Sequence, residues 1–187
     1  VFDPKGKYLY FLSNRIFNPI YDDIQFELSF PMGTQPFAIA LTRETPSPFV
    51  KEATSFSESP SANGSKEKEN KKDTISEVKI DFEAIQDRVV AFPISEAIYE
   101  DIQAIENKVF YTVRQIEGSR RASWYDLVPS AKATLKVFDF DEQVEKLFIN
   151  AVTDFTISQK GDTILIRSGN SLRLLSTKNI PSKGNKD

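Results

Sequence analysis

The 187-residue chain contains no cysteine and no histidine, and methionine occurs once. Without cysteine there is no disulfide framework, no thiolate nucleophile and no zinc–thiolate site. Without histidine the commonest general base and the commonest metal ligand are both missing. A Ser-His-Asp triad therefore cannot be assembled from these residues alone. No run of eighteen or more apolar residues is present to span a membrane as a helix. The net charge of −3 is spread over both signs, with no dense basic face of the kind nucleic acid requires. No phosphate-binding glycine loop, dinucleotide fingerprint or metalloprotease helix is written in the chain. For the chain by itself no catalytic role, cofactor, metal site, nucleic-acid partner or membrane partner is expected.

What is present is aromatic and branched: 40% of the residues are hydrophobic, 12% aromatic, and fifteen are Phe, which read as core. The chain opens on Phe2-Asp-Pro-Lys-Gly6, a turn leading into Tyr8–Ser13. Pro4 presets φ, Gly6 can take the positive φ a reversal needs, and the residues beyond suit a half-buried strand. Such a unit reads as the hairpin joining the two inner strands of a β-propeller blade. Gln159-Lys-Gly-Asp162 followed by Thr163–Ser168 repeats it, with Phe155 standing ahead of the turn as Phe2 does. Ser13 and Ser168 hold the same place after their glycines. A weaker third copy turns at Glu106-Asn107-Lys108, between Asp101–Ile105 and Val109–Val113. The interval from Asn107 to Gly161 suits one blade of about 40–50 residues with a modest insertion. The interval from Gly6 to Asn107 suits one blade carrying two large insertions. From pattern alone, the same hairpins also fit a plain β-sandwich.

Along the chain, residues 7–13 and 36–41 read as consecutive strands separated by an insertion in which Ile24–Ser29 alternates like a short strand. Ser, Glu, Lys and Asn dominate residues 51–77, a composition unable to order itself, so a disordered loop inside the domain is expected. Strand pattern resumes at Val78–Phe82 and Arg88–Phe92. A second blade runs through Asp101–Ile105, Lys108–Val113, Thr134–Phe140 and Val144–Ile149, the last two joined by a convincing turn at residues 139–143. Val152–Ile157, Thr163–Arg167 and Ser171–Leu175 supply three strands of the next, with Gly169-Asn170 as a hairpin turn. The expectation is an all-β, incomplete β-propeller of about two and a half to three four-stranded antiparallel blades over residues 1–180. A flexible tail, 181–187, follows. Because a closed ring needs at least four blades and Val1 already sits inside a motif, the chain is expected to be a piece of a longer protein.

Phe2–Arg15, then Asn18-Pro-Ile-Tyr-Asp22, Phe26-Glu-Leu-Ser-Phe-Pro31 and Thr45-Pro-Ser-Pro-Phe49, resembles the propeller region of tricorn-type serine peptidases. Residues 80–93 are similar to the segment that family places after a variable charged loop, and the likeness continues through Leu135–Phe140 to Gly169–Leu175. The resemblance implies a large homo-oligomeric peptidase with a six-bladed and a seven-bladed propeller, followed by PDZ and catalytic domains. This chain resembles the C-terminal blades of the seven-bladed propeller. Its implied role is non-catalytic: admitting oligopeptide substrates towards the active site and assembling the domains. The alternative is a non-enzymatic propeller scaffold for protein–protein binding. A cytoplasmic location is expected, or a periplasmic one if an export signal precedes Val1.

Two carboxylate groups, Asp22-Asp23 and Asp139/Asp141/Glu142, lack the spacing of a cation loop and read as solvated turn residues. The candidate substrate-binding residues are Arg120, Arg121 and Trp124, in the insertion between the strands ending near Arg114 and beginning near Lys132. Arginines grip a peptide carboxylate bidentately and an aromatic stacks on side chains. The plainer reading is an exposed loop whose Trp124 docks onto the blade.

Overall fold

The computed structural model describes residues 1–16, 18–23, 26–30, 32–50, 78–116 and 130–181. In chain order the strands are β1 (Tyr8–Ser13), β2 (Ile20–Asp22), β3 (Glu27–Ser29), β4 (Gln35–Ala40), β5 (Val89–Ala91), β6 (Ile98–Ile105), β7 (Lys108–Arg114), β8 (Ala133–Asp139), β9 (Val144–Val152), β10 (Asp154–Ile157), β11 (Thr163–Ser168) and β12 (Ser171–Ser176). One 3-10 turn, Ile85–Arg88, precedes β5. They form three antiparallel blades, β1-β4-β5, β6-β7-β8-β9 and β10-β11-β12, with β2-β3 as a separate hairpin between β1 and β4. Phe2 bridges Leu9 and adds the stub of a fourth strand to the first blade. The expected stretch 51–77 and the tail beyond 181 lie outside the described residues.

The glycine turns are the same loop built twice. Asp3 N–H donates to Tyr8 O at 2.9 Å and Gly6 N–H to Asp3 O at 2.8 Å; Ser158 N–H donates to Thr163 O and Gly161 N–H to Ser158 O, both at 2.8 Å. Gly6 and Gly161 take φ of +67° and +72°, where a Cβ would come within 3.1 Å of Val78 Cγ2 and 3.3 Å of Ile105 Cγ2. Asn107 supplies φ +60° in a tighter reversal between β6 and β7. Register corrects one expected equivalence. Ile157 stands opposite Ile164 as Phe2 stands opposite Leu9, so Ile157 and not Phe155 occupies the place of Phe2. The reason is burial: Phe155 is 4% exposed between two blades, whereas Phe2 is 51% exposed.

The middle blade is packed on both faces. Val109, Tyr111, Val113 and Phe138 join Tyr10, Ala38, Phe92 and Tyr99 in a layer rich in aromatics against the first blade. The intervening residues Phe110, Leu135 and Val137, with Phe148, pack on Phe155, Ile164 and Ile166 of the third. Alternation along a strand sends neighbours to opposite faces, so a strand buried on both sides reads as an unbroken apolar run. Val109–Val113 is such a run, interrupted only by Thr112, whose hydroxyl accepts a hydrogen bond from Asp101 N–H at 3.0 Å. Phe49 from the Thr45–Phe49 segment sits edge-on to Phe92 and Phe138 at 5.0 and 5.7 Å, and Gln143 Nε2 donates to Pro48 O at 2.8 Å.

Three expectations are corrected. Val78–Phe82 is not a strand: Asp81 N–H makes one bond to Leu41 O, and the chain then turns. Arg88 holds this segment, its Nε donating to Ala40 O at 2.9 Å, Nη1 to Glu83 O at 3.0 Å and Nη2 to Asp81 O. Nor are all the phenylalanines core, since Phe2, Phe26, Phe30 and Phe82 are exposed. Finally, Asp139 is buried rather than solvated. Its carboxylate accepts from Asp141 N–H at 3.0 Å and Glu142 N–H at 3.2 Å and pairs with Lys108 at 3.3 Å. Burial alone pushes this carboxyl up, but the Glu142 amide, Lys108 and the Asp141 amide together hold it below its ordinary value.

Two stability outcomes follow from these contacts. Phe92→Ala, which removes a ring touching Tyr10, Phe49, Tyr111, Phe138 and Phe140, is expected to cost about 3–5 kcal/mol in denaturant unfolding. Asp139→Asn is expected to cost about 1–3 kcal/mol at neutral pH, because the amide leaves turn donors less well satisfied. Since the folded carboxyl is depressed, its contribution is complete above the unfolded value and fades as pH falls through the folded one. Unfolding curves at neutral and strongly acidic pH check this: the two proteins differ at the first and converge at the second.

Candidate functional site

Arg120, Arg121 and Trp124 lie outside the described residues; the structure does describe the stem from which their insertion leaves. β7 ends at Arg114 opposite Ile98, and β8 begins at Ala133 opposite Val152. Arg114 Nε pairs with Glu100 Oε2 at 2.6 Å, and Thr153 Oγ1 donates to Ser130 O at 3.2 Å. The excursion carrying the β2–β3 hairpin leaves the first blade at the same end. Asn18 Nδ2 from that excursion donates to Glu96 Oε1, just ahead of β6, at 2.7 Å.

At this end the first strands of two blades bring carboxylates together. A propeller sets its blades around a central channel, and β6 and β10 are the first strands of the second and third. The β6–β7 register slips between Tyr99 and Ile102, a bulge that leaves Glu100 and Asp101 both exposed. Bulges re-aim side chains in this way. The Asp101 carboxyl is pushed up, first by desolvation and then by the negative charges of Asp154 and Glu100, with Arg114 opposing. Gln103 fixes the neighbouring strand. Its Nε2 donates to Phe155 O at 3.1 Å and its Oε1 accepts from Ile157 N–H at 2.9 Å, so one amide takes the place of a strand partner for β10. The arrangement can attract and hold a cationic group.

Tyr10, Tyr99 and Tyr111 are the buried phenols, and burial pushes all three well above the usual range, which keeps them protonated. Tyr111 Oη donates to Glu145 Oε1 at 2.8 Å, and Lys136 Nζ meets Glu145 Oε2 at 2.7 Å, a closed network across β7, β8 and β9. Among the described residues no group of three His, Cys, Asp or Glu side chains converges as a cation site needs.

The acidic pair was not among the residues singled out from sequence. Its signal was the Glu100-Asp101 step inside the otherwise apolar and aromatic Ile98–Ile105, which register alone explains as a bulge. Because the folded Asp101 carboxyl is raised, its ionised form opposes folding above the ordinary carboxylate range. Asp101→Asn is therefore expected to raise the thermal midpoint at neutral pH. The gain shrinks as pH falls through the folded value and vanishes below the unfolded one. A variant no more stable than the parent at neutral pH would contradict the repulsion described.

The comparisons with known proteins agree with this architecture. The family model described as "Tricorn protease second beta propeller domain" matches residues 1–178. The chain is 32% identical over 181 residues to the "Putative Tricorn-like protease C-terminal subunit" of Sulfurisphaera tokodaii, which covers 96% of this chain and 18% of that protein. It is 33% identical over 177 residues to a "Tricorn protease homolog" of Saccharolobus solfataricus (92% and 14%) and 30% identical over 173 residues to "Tricorn protease homolog 1" of Streptomyces coelicolor (91% and 16%). Among solved structures, the crystal structure of the tricorn protease superposes with a TM-score of 0.69 over 95% of this chain and 16% of that one, at 19% identity, a likeness of fold. The chain thus spans less than a fifth of the length of these curated relatives. With its blades in place and the family match extending over residues 1–178, the chain belongs to the family of tricorn protease second β-propeller domains.

Proposed function

We propose that the chain forms blades of the seven-bladed propeller of a tricorn-like serine peptidase and is itself non-catalytic, admitting oligopeptides and holding domains in place. The observation that carries the reading is the family match over residues 1–178. Two features of the surface support it. The outward face of the third blade exposes Leu165, Leu172 and Leu174, the last two at 66% and 70%, and unpartnered leucines in a row mark a surface meant to be covered. In the proposal the next blade covers it. The second feature is the carboxylate pair Asp101 and Asp154 on adjacent first strands, where a passing peptide would meet them. PDZ and catalytic domains of the same polypeptide, a homo-oligomeric state and a cytoplasmic location belong to the same proposal.

The test uses the full-length polypeptide and two substrates of different size. Asp101→Trp with Asp154→Trp narrows the proposed path without touching any catalytic group. Hydrolysis of a ten-residue peptide is expected to lose most of its kcat/KM, while a single-residue chromogenic substrate is turned over as before. Equal effects on both substrates, or none on either, count against admission through this propeller. Absence of peptidase activity from the full-length protein returns the chain to the scaffold reading.

A further inference from the structure

The β2–β3 hairpin is poorly accounted for by the fold that carries it. Its two three-residue strands pair only with each other, so both outer edges are free among the described residues. An isolated two-stranded hairpin is marginally stable at best in water and ordinarily needs a third strand or a packed face. Here the cross-strand pair Tyr21 and Leu28, which would form that face, is 54% and 56% exposed. At its base Asn18 bonds to Glu96, and Thr34 Oγ1 donates to Asn14 Oδ1 at 2.6 Å.

Charge identifies what would complete it. No Lys or Arg occurs from residue 16 to residue 42, while Asp22, Asp23 and Glu27 cluster at the hairpin tip. The ladder register sets Asp22 opposite Glu27, a position in which like charges destabilise a pair of strands. Neither Asp23 nor Glu27 has an ion pair among the described residues, and the nearby Arg15 guanidinium lies 5.7 Å over the Phe11 ring instead. Glu96, which accepts from Asn18 of the same excursion, carries the same sign of charge. Among the described residues the hairpin therefore lacks a third strand, an apolar cover and positive charge, all at one place.

We propose that this hairpin is a docking edge for an extended polypeptide segment that alternates apolar and Lys or Arg side chains. An added strand pairs with the free edge and supplies the backbone partners that edge lacks. Its apolar side chains cover Tyr21 and Leu28, and its cations pair with Asp23 and Glu27. The proposal concerns recognition alone and stands whether or not the whole polypeptide is a peptidase.

The experiment is fluorescence anisotropy with three labelled ten-residue peptides and the full-length polypeptide: alternating Lys and Val, alternating Glu and Val, and alternating Lys and Ser. The Lys–Val peptide is expected to bind tightest, the Lys–Ser peptide weakly and the Glu–Val peptide not at all, with added salt weakening the first. Asp23→Lys with Glu27→Lys is expected to lose about tenfold or more in affinity for Lys–Val, equivalent to at least ~1.4 kcal/mol, and to gain affinity for Glu–Val. That inversion is something a merely destabilised hairpin does not produce. Tyr21→Ser is expected to abolish the advantage of Val over Ser. Equal binding of the acidic and basic peptides, or a charge-swapped variant that keeps the parental preference, overturns the proposal. So does a parent protein that self-associates through this hairpin and binds no peptide, since a second copy is then the occupant.

Discussion

The burial of both faces of β7 is the constraint on which the other contacts depend. Val109, Phe110, Tyr111 and Val113 alternate between two cores, so the strand cannot shift by one residue without exchanging an aromatic layer for an aliphatic one. Burying each such side chain stabilises by about 1.5–3 kcal/mol, and the gain is realised only when both neighbouring blades are present. The Tyr111 phenol makes the same demand in polar terms, since its hydroxyl must reach Glu145 across β8, and Lys136 must neutralise that carboxylate. Register, blade stacking and the polar network therefore hold together or fail together. The flanking blades have one such neighbour each among the described residues, and the leucines of β12 show what the unmatched side of a blade looks like.

Hairpins were the part of this fold most legible in the sequence, because their causes are local. A positive φ demands Gly or Asn, and Gly6, Asn107, Gly161 and Gly169 are where the chain reverses. Paired apolar runs on either side settle the strands. Relations set by distant parts of the chain were less legible. Phe155 precedes Gly161 much as Phe2 precedes Gly6, yet which residue faces which depends on the pairing with β11, and that pairing substitutes Ile157. Val78–Phe82 has the composition of a strand, but Arg88 instead ties down the carbonyls of Asp81 and Glu83 as the chain turns. Asp139 resembled a solvated turn residue because composition does not report that Lys108 and two amides will converge on it.

The candidate site divides along the same line. The excursions after β1 and after β7 could be located from strand spacing, and they leave the blades at a common end. The acidic step Glu100-Asp101 could not be read as a site, since in a regular strand its two side chains would point to opposite faces. The slip between Tyr99 and Ile102 leaves both exposed. Gln103 was equally silent: an amide in a strand carries no mark that it will substitute for backbone pairing with the next blade.

A segment without cysteine or histidine can still influence what approaches it, because fields reach further than contacts. Charges of one sign lining a recess with low-dielectric walls concentrate ions of the other sign and speed their capture. The Asp101 carboxyl is raised first by desolvation and then by the charges of Asp154 and Glu100, with Arg114 opposing. Packing alone gives no reason for that arrangement; uncharged side chains on the same bulge would hold β6 and β10 equally well. In the proposed reading, a cation arriving there would offset both the desolvation and the repulsion of the Asp101 carboxylate. The hairpin register likewise sets Asp22 opposite Glu27. Buried apolar contacts are concentrated in the strand interiors, and these carboxylates lie where the excursions leave the blades.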